Sequence, residues 1–194
     1  MPIPQSDPLV IAPTPTPFTD SDNIDHDALV QNVRKWLTTP LSGFVLTTAN
    51  GEETMLSEDE KVSIVTTVNQ ARSGERFVVA GIDVGSTVET LRLAERYATA
   101  GADLIRVRIP RSQSPEAVRE YFTEVASNSP VPVIVIHQTF NSGPGAPPET
   151  IGEVCGMDNV FGYITDHDLR FEGWVRSVFP AEKWFWICNG GLLA

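Results

Sequence analysis

Segments with the pattern of buried β-strands alternate with segments of helical periodicity along the whole of this 194-residue chain. The predicted strands cover 9–13, 43–48, 76–82, 102–110, 131–138, 159–165 and 183–188. The predicted helices cover 27–37, 57–72, 86–101, 114–126, 147–156 and 169–179. Strands that are joined by helix-length crossovers must run parallel. The alternation therefore predicts an α/β fold with a parallel sheet that is buried on both faces.

Two parallel architectures fit this alternation, an open doubly wound sheet and a (β/α)8 TIM barrel. A glycine-rich loop after the first strand would favour the open sheet, but "PTPTPFT" follows it instead. We therefore predict the barrel, as a single domain over 1–194. Only about seven strands and six helices are present, so we expect a truncated, incomplete barrel with two exposed sheet edges, which dimerisation would cover.

Charge and composition limit the possible partners. The formal net charge is −11, which disfavours nucleic acid and anionic membranes. We find no signal or transit peptide, and no apolar stretch approaches the roughly 20 residues that span a bilayer. The two cysteines, Cys155 and Cys188, have no metal-binding spacing, so we expect thiols in a reducing compartment. These features predict a cytoplasmic protein.

Several motifs occur in the order of one known family. "PTPTPFTDSDNIDHDALVQNV" is similar to its opening segment, and "VLTTANGEETMLSEDEK" to its Gly-Thr-Thr-Gly-Glu loop and the following helix start. "SPVPVIVIHQTFNSG" and "DNVFGYI" stand at its fifth and sixth strands. The chain resembles the dihydrodipicolinate synthase/N-acetylneuraminate lyase family of class I pyruvate aldolases. It looks closest to the fungal branch that resembles 4-hydroxy-2-oxoglutarate aldolase.

The resemblance implies a lyase that acts on small 2-oxo or hydroxy acids, but the positions of its key catalytic residues differ. The family lysine that forms a Schiff base with pyruvate corresponds to Ile164, and the proton-relaying tyrosine corresponds to Ile136. An iminium needs a primary amine, which isoleucine lacks. Lys183 precedes the seventh strand and is expected at the opposite rim of the barrel. Ordinary Schiff-base chemistry is therefore not expected.

The family's substrate-binding residues also change. The two carboxylate-binding threonines correspond to Ala49 and Asn50, and the arginine that binds a second carboxylate corresponds to Asn141. One position of the tyrosine pair after the fourth strand is occupied by Arg111.

Polar residues at the carboxyl ends of the strands still predict a site, because barrels of this kind place their chemistry there. The candidate catalytic residues are His137, His167 and Asp166. The candidate substrate-binding residues are Thr48, Asn50, Gly51, Glu52, Arg108, Arg111 and Asn141. No ligand spacing supports a metal site over this cluster, and we expect no cofactor.

Each candidate has a structural alternative. His137 is either a general base near neutral pH or a rim histidine that points away from the barrel axis. The "TDHD" turn is either an acid/base pair or a helix start with Asp168 as its N-cap. Arg106 and Arg108 share a strand face, and a buried arginine needs an anionic partner. That partner is a protein carboxylate, Glu52 or Asp83, or the carboxylate of a substrate.

Three functional hypotheses remain open. The chain is an enzyme of lyase ancestry with a lysine-independent mechanism, with His137 as the base. Alternatively, it is a catalytically inactive homologue that binds a metabolite or pairs with an intact paralogue. The third hypothesis is a truncated, non-functional product. In each functional case we expect a small 2-oxo or hydroxy acid as the ligand and a homo-oligomer or a paralogue pair as the assembly.

Overall fold

The computed structural model describes residues 9–111, 113–137, 145–165 and 167–188. Within them, strands and helices alternate as the sequence predicts. The strands are β1 (Ile11–Pro13), β2 (Gly43–Leu46), β3 (Phe77–Ile82), β4 (Leu104–Arg108), β5 (Val133–Ile136), β6 (Val160–Thr165) and β7 (Trp184–Ile187). The helices are α1 (His26–Leu37), α2 (Glu58–Arg72), α3 (Thr87–Ala100), α4 (Pro115–Asn128), α5 (Pro148–Cys155) and α6 (Leu169–Val178).

The seven strands are parallel and follow chain order across one sheet, from β1 to β7. The registers show this directly: Val45 pairs with Val79, Val135 with Tyr163, and Tyr163 with Phe185. All four residues of β2 and of β5 are buried, as expected for a parallel sheet covered on both faces. The predicted α/β class and the parallel order of the strands are confirmed.

The chain divides into two compact units, residues 1–82 with 93–105 and residues 83–92 with 106–194. In the first unit, the largest fully buried side chains include Phe44, Phe77 and Tyr97. In the second unit they include Phe122 and Tyr163. The expectation of one domain over the whole chain stays a prediction.

Helix starts follow the capping signals in the sequence. The Ser57 hydroxyl accepts from the Glu60 amide, and the Glu60 carboxylate accepts from the Ser57 amide, which completes the predicted capping box. The hydrogen bonds from Ser57 hold the pKa of Glu60 below its usual range. Asp168 accepts the amides of Arg170 and Phe171 at 3.0 and 3.1 Å. The predicted N-cap of α6 is therefore confirmed.

Arg72, in the last turn of α2, is a buried charge with partners on several sides. Its Nη1 lies 2.6 Å from Oδ2 of Asp103, and its Nη2 donates to the Asn69 side chain at 2.8 Å and to the Gly101 carbonyl at 3.0 Å. Asp103 also accepts from the Val78 amide at 2.7 Å. These bonds hold α2, the turn before β4 and the start of β3 together within the first unit.

Tyr121, on α4, holds the loop after β3 in the second unit. Its hydroxyl lies 2.8 Å from the Thr90 hydroxyl, and the Val84 carbonyl oxygen lies 3.2 Å from the Tyr121 hydroxyl and 3.3 Å from that of Thr90. Burial raises the pKa of Tyr121 to about 12, and the negative charge of Asp83 adds to the rise. The backbone on the carboxyl side of Asp83 is thereby fixed to two helices.

None of the helices in the described ranges is long and apolar enough to cross a membrane. Both cysteines are thiols, and burial raises the pKa of Cys155 above its usual range.

We predict that Arg72→Met lowers the free energy of unfolding by about 3 kcal/mol, because it leaves the Asp103 carboxylate without its guanidinium partner. The matched control is Arg92→Met, which removes a half-exposed ion pair with Glu89 and should change that free energy by less than about 0.5 kcal/mol. Urea denaturation of the two variants measures both values. Equal losses in the two variants would show that the buried network does not stabilise the first unit.

We predict that the stability of the protein falls between pH 10 and pH 12 partly through Tyr121. A folded-state pKa raised from about 10 to about 12 contributes stability that is complete below pH 10 and is lost as the pH rises through 12. A shift of two units corresponds to about 2–3 kcal/mol. Melting of wild type and Tyr121→Phe from pH 8 to pH 12 tests this, and the variant should lose less stability over the upper two units. Parallel losses in the two proteins would contradict the assignment.

Candidate functional site

Pairing across the second unit fixes which side chains share a face of the sheet. Ile136 pairs with Ile164, and Ile164 pairs with Trp186. Paired residues point to the same face, and residues one position away point to the other. Ile136, Ile164 and Trp186 therefore share one face, and Val135 and Tyr163 point to the opposite one.

Arg108 lies on the face of Ile136. The Ile109 amide donates to the Ile136 carbonyl at 2.9 Å, and in a parallel ladder this bond places Arg108 beside Ile136. Arg106 is two residues earlier and shares that face. The sequence predicted that Arg106 and Arg108 share a face of the sheet, and the register adds Ile136 to the same face.

The two arginines converge on one carboxylate. Nη2 of Arg106 lies 2.7 Å from Oδ1 of Asp83, and Nε of Arg108 lies 3.2 Å from the same oxygen. The three side chains are only 5%, 8% and 19% exposed, in the order Arg106, Arg108, Asp83. Asp83 is therefore the protein carboxylate that both arginines contact, as one of the two sequence alternatives predicted, whereas the Glu52 side chain is exposed in the other unit.

Arg108 retains donors that these contacts do not use. Its Nε faces Asp83, and its Nη1 donates to the His137 carbonyl at 2.9 Å. Its Nη2 amino group makes no hydrogen bond to the part of the chain that the structure describes. A guanidinium has five N–H donors, and the edge formed by Nη1 and Nη2 matches the two oxygens of a carboxylate.

His137 lies on the other face and is fully buried. Its Nε2 is 3.4 Å from Oε1 of Glu172 on α6. The same oxygen accepts the His167 amide at 2.9 Å and the Tyr163 hydroxyl at 3.5 Å. This polar cluster joins β5 and β6 to α6, so the prediction that His137 could point away from the barrel axis fits its position.

His167 lies at the edge of this cluster. Its ring centroid is 5.4 Å from that of His137, and its Nε2 is 3.2 Å from Oδ2 of Asp168. The hydrogen bond from the Phe171 amide, helped by that from Arg170, holds the pKa of Asp168 below its usual range. Asp168 of the "TDHD" segment thus caps the start of α6.

Sequence reasoning missed Glu172. The available signal was a glutamate four residues after the N-cap Asp168 and three before the buried Val175, on the apolar face of the predicted helix. A charge at such a position requires a buried polar partner, which His137 and Tyr163 supply.

The turn after β2 is the candidate site in the first unit. Thr47 has φ +52°, which is unusual for a β-branched residue, and its hydroxyl bonds both the amide and the carbonyl of Gly81 at 3.1 Å. Thr48 follows with a buried hydroxyl that has no hydrogen-bond partner among the described residues. The Gly51 carbonyl accepts the Thr16 hydroxyl at 2.8 Å. The turn is thus held in a strained conformation beside an unused hydroxyl.

The remaining predicted residues are less informative. Asn50, Glu52 and Arg111 are exposed. Asp166 and Asn141 lie outside the described residues. The described ranges contain no group of three or more histidine, cysteine or acidic side chains that could hold a metal ion.

Lys183 lies at the amino end of β6. Its Nζ donates to the Met157 carbonyl at 2.9 Å and to the Val160 carbonyl at 2.6 Å. Val160 is the first residue of β6, so this amine is at the strand end opposite to Ile164. The sequence prediction for its placement is confirmed.

Comparison with known proteins shows the family. The profile of the dihydrodipicolinate synthetase family matches residues 8–176. The 4-hydroxy-tetrahydrodipicolinate synthase 1 of Streptomyces coelicolor is 31% identical over 138 residues, which are 70% of this chain and 45% of that protein. The Archaeoglobus fulgidus 4-hydroxy-tetrahydrodipicolinate synthase is 28% identical over 155 residues, 79% of this chain and 53% of that protein. The chain spans about half the length of these curated relatives.

Solved structures share the fold. The Bacillus anthracis dihydrodipicolinate synthase superposes with a TM-score of 0.87 at 20% identity, over 94% of this chain and 64% of that one. A dihydrodipicolinate synthase family protein from Coccidioides immitis gives 0.85 at 22% identity, over 95% and 61%. The fold class is therefore the (β/α)8 TIM barrel of that family, of which this chain carries seven strands and six helices within its described residues. By the match over residues 8–176, the chain belongs to the dihydrodipicolinate synthetase family.

Proposed function

We propose that this chain binds the carboxylate of a small 2-oxo or hydroxy acid through Arg108, without forming a Schiff base. The observation that carries the proposal is a buried guanidinium at the carboxyl end of β4 whose Nη2 makes no hydrogen bond to the described residues. Strand ends of this polarity hold the site in (β/α)8 enzymes. A guanidinium that is already fixed by Asp83 and by the His137 carbonyl is preorganised, so it loses little conformational freedom when a ligand binds.

The placement of the lysines supports a mechanism without an iminium. The chain has three lysines. Lys35 and Lys61 lie on α1 and α2, and Lys183 donates to carbonyls at the amino end of β6. On the face that carries Arg108, the resemblance to the family aligns the Schiff-base position with Ile164. We propose that this replacement removes the covalent step.

A catalytically inactive homologue is the second candidate, and the position of His137 favours it. The proposed base is buried against Glu172 on the opposite face from Arg108. A ligand held by Arg108 is therefore out of its reach. In this case the chain would bind its acid without turnover, as a homo-oligomer or paired with an intact paralogue. We also propose that the chain belongs to the fungal branch of the family that resembles 4-hydroxy-2-oxoglutarate aldolase, and that it is located in the cytoplasm.

The first test measures the binding of acids to the protein by isothermal titration calorimetry. We expect at least one acid from a panel of 2-oxo and 2-hydroxy acids to bind wild type, and Arg108→Gln to weaken that binding at least tenfold. Arg108→Lys keeps the charge but loses the two-pronged geometry, so we expect an intermediate loss. The control is Arg119→Gln, which changes a more exposed arginine on α4 and should bind like wild type.

Borohydride reduction with pyruvate, followed by intact-mass measurement, tests the covalent step. We expect no pyruvate-derived mass on the folded protein. A trapped adduct would establish an iminium and overturn the lysine-independent mechanism. Unchanged affinity in both Arg108 variants would remove Arg108 from the site, and failure of every acid to bind would refute the proposed function.

Thr48 provides an independent prediction for the turn after β2, which we propose as a candidate ligand contact within the first unit. Thr48→Val removes a buried hydroxyl that has no partner among the described residues, so we expect the variant to be more stable by about 1 kcal/mol. Thermal melting measures this effect. A destabilised variant would show that the Thr48 hydroxyl has a structural role in the folded protein.

A further inference from the structure

Beside Arg108, three apolar side chains extend in one row across the sheet. Arg108 adjoins Ile136 on β5, Ile136 pairs with Ile164 on β6, and Ile164 pairs with Trp186 on β7. All four side chains point to the same face. The row therefore starts with a cation and continues as two β-branched aliphatic chains and an indole.

The row is almost completely shielded from water. Ile136 is 4% exposed, Ile164 6% and Trp186 8%. The ring of Phe161 lies 5.7 Å from that of Trp186, so aromatic packing continues beyond the row. The two isoleucines have no side-chain hydrogen-bond donor or acceptor.

The apolar row next to Arg108 favours ligands whose carboxylate carries a hydrocarbon chain over ligands whose carboxylate carries a polar group. A carboxylate at Arg108 directs the rest of its molecule along the isoleucines. A second carboxylate, a phosphate or a hydroxyl placed there would lose its water without gaining a hydrogen bond from them. A hydrocarbon chain would lose water favourably. Strands are about 4.8 Å apart, so a chain of four to six carbons from Arg108 extends along both isoleucines.

We infer that the ligand is a monocarboxylic 2-oxo or 2-hydroxy acid with a branched aliphatic or aromatic side chain, held by Arg108 at its carboxylate and by Ile136, Ile164 and Trp186 at its apolar end. This inference rests on the proposed function and makes it narrower. It assigns a role to the apolar replacements at positions 136 and 164, which form the binding surface for the side chain of the ligand.

Isothermal titration of the whole protein with four acids tests this inference. The acids are 4-methyl-2-oxopentanoate, pyruvate, 2-oxoglutarate and 4-methylpentanoate. We expect 4-methyl-2-oxopentanoate to bind about tenfold or more tightly than pyruvate, because it buries three additional carbons. We expect 2-oxoglutarate to bind no better than pyruvate. The acid that lacks the oxo group shows how much of the affinity comes from the carboxylate and the chain alone.

Matched variants link the preference to the row. Ile164→Thr should reduce the ratio of the two affinities to threefold or less, because it weakens the binding of 4-methyl-2-oxopentanoate more than that of pyruvate. Ile164→Val is a milder second variant, with a smaller reduction, if the threonine variant does not fold. The control is Ile187→Thr, which changes a half-exposed residue next to Trp186 on the other face and should keep the wild-type ratio.

The outcomes separate the two proposals. Tighter binding of pyruvate or 2-oxoglutarate than of 4-methyl-2-oxopentanoate would overturn the inference and leave the proposed function standing. A preference for the branched acid that survives Ile164→Thr and Ile164→Val would also overturn the assignment to this row. If none of the acids binds, the proposed function itself fails.

Discussion

Side chains in a parallel sheet alternate between its two faces, and this constraint decides which polar groups can act together in the second unit. Arg108 and His137 both lie at strand ends, and the chain order alone makes them equivalent candidates. The register places Arg108 with Ile136 and Ile164, whereas His137 lies with Tyr163 against α6. A shift of one residue would exchange these roles, because it reverses the face of every side chain on the strand.

In both units, buried arginine side chains form ion pairs with an aspartate. In the first unit, the carboxylate of Asp103 binds Arg72 and a backbone amide. In the second, the carboxylate of Asp83 binds Arg106 and Arg108. Each of these buried guanidinium groups lies within 3.2 Å of a carboxylate oxygen, which offsets the large desolvation cost of an isolated ion. The difference is that Nη2 of Arg108 makes no hydrogen bond to the described residues, and for this reason we propose Arg108, and not Arg72, as the arginine that binds a ligand.

Membership of the dihydrodipicolinate synthetase family gives the barrel frame, and the residues on that frame give the proposed function. The strand ends of this chain present a fixed guanidinium and an apolar row. We propose that such a surface binds an amphipathic acid, and the side chains of Arg108, Ile136, Ile164 and Trp186 offer no amine nucleophile for an iminium. The polar cluster of His137, Glu172 and Tyr163 lies between the sheet and α6, where Oε1 of Glu172 accepts the Tyr163 hydroxyl and the His167 amide.

The sequence by itself determined the order and type of the elements, because hydrophobic periodicity and helix caps are local properties. Ser57 with Glu60, and Asp168, mark helix starts that the structure confirms. The sequence also determined that Arg106 and Arg108 share a face, and it left Glu52, Asp83 and the carboxylate of a substrate as their possible partners. Only the tertiary structure decided between Asp83 and Glu52, placed Glu172 beside His137, and set Arg108 in one row with Ile136, Ile164 and Trp186. These pairings join residues that are about 20 to 80 positions apart in the chain, so they depend on strand register and helix packing, which local patterns do not specify.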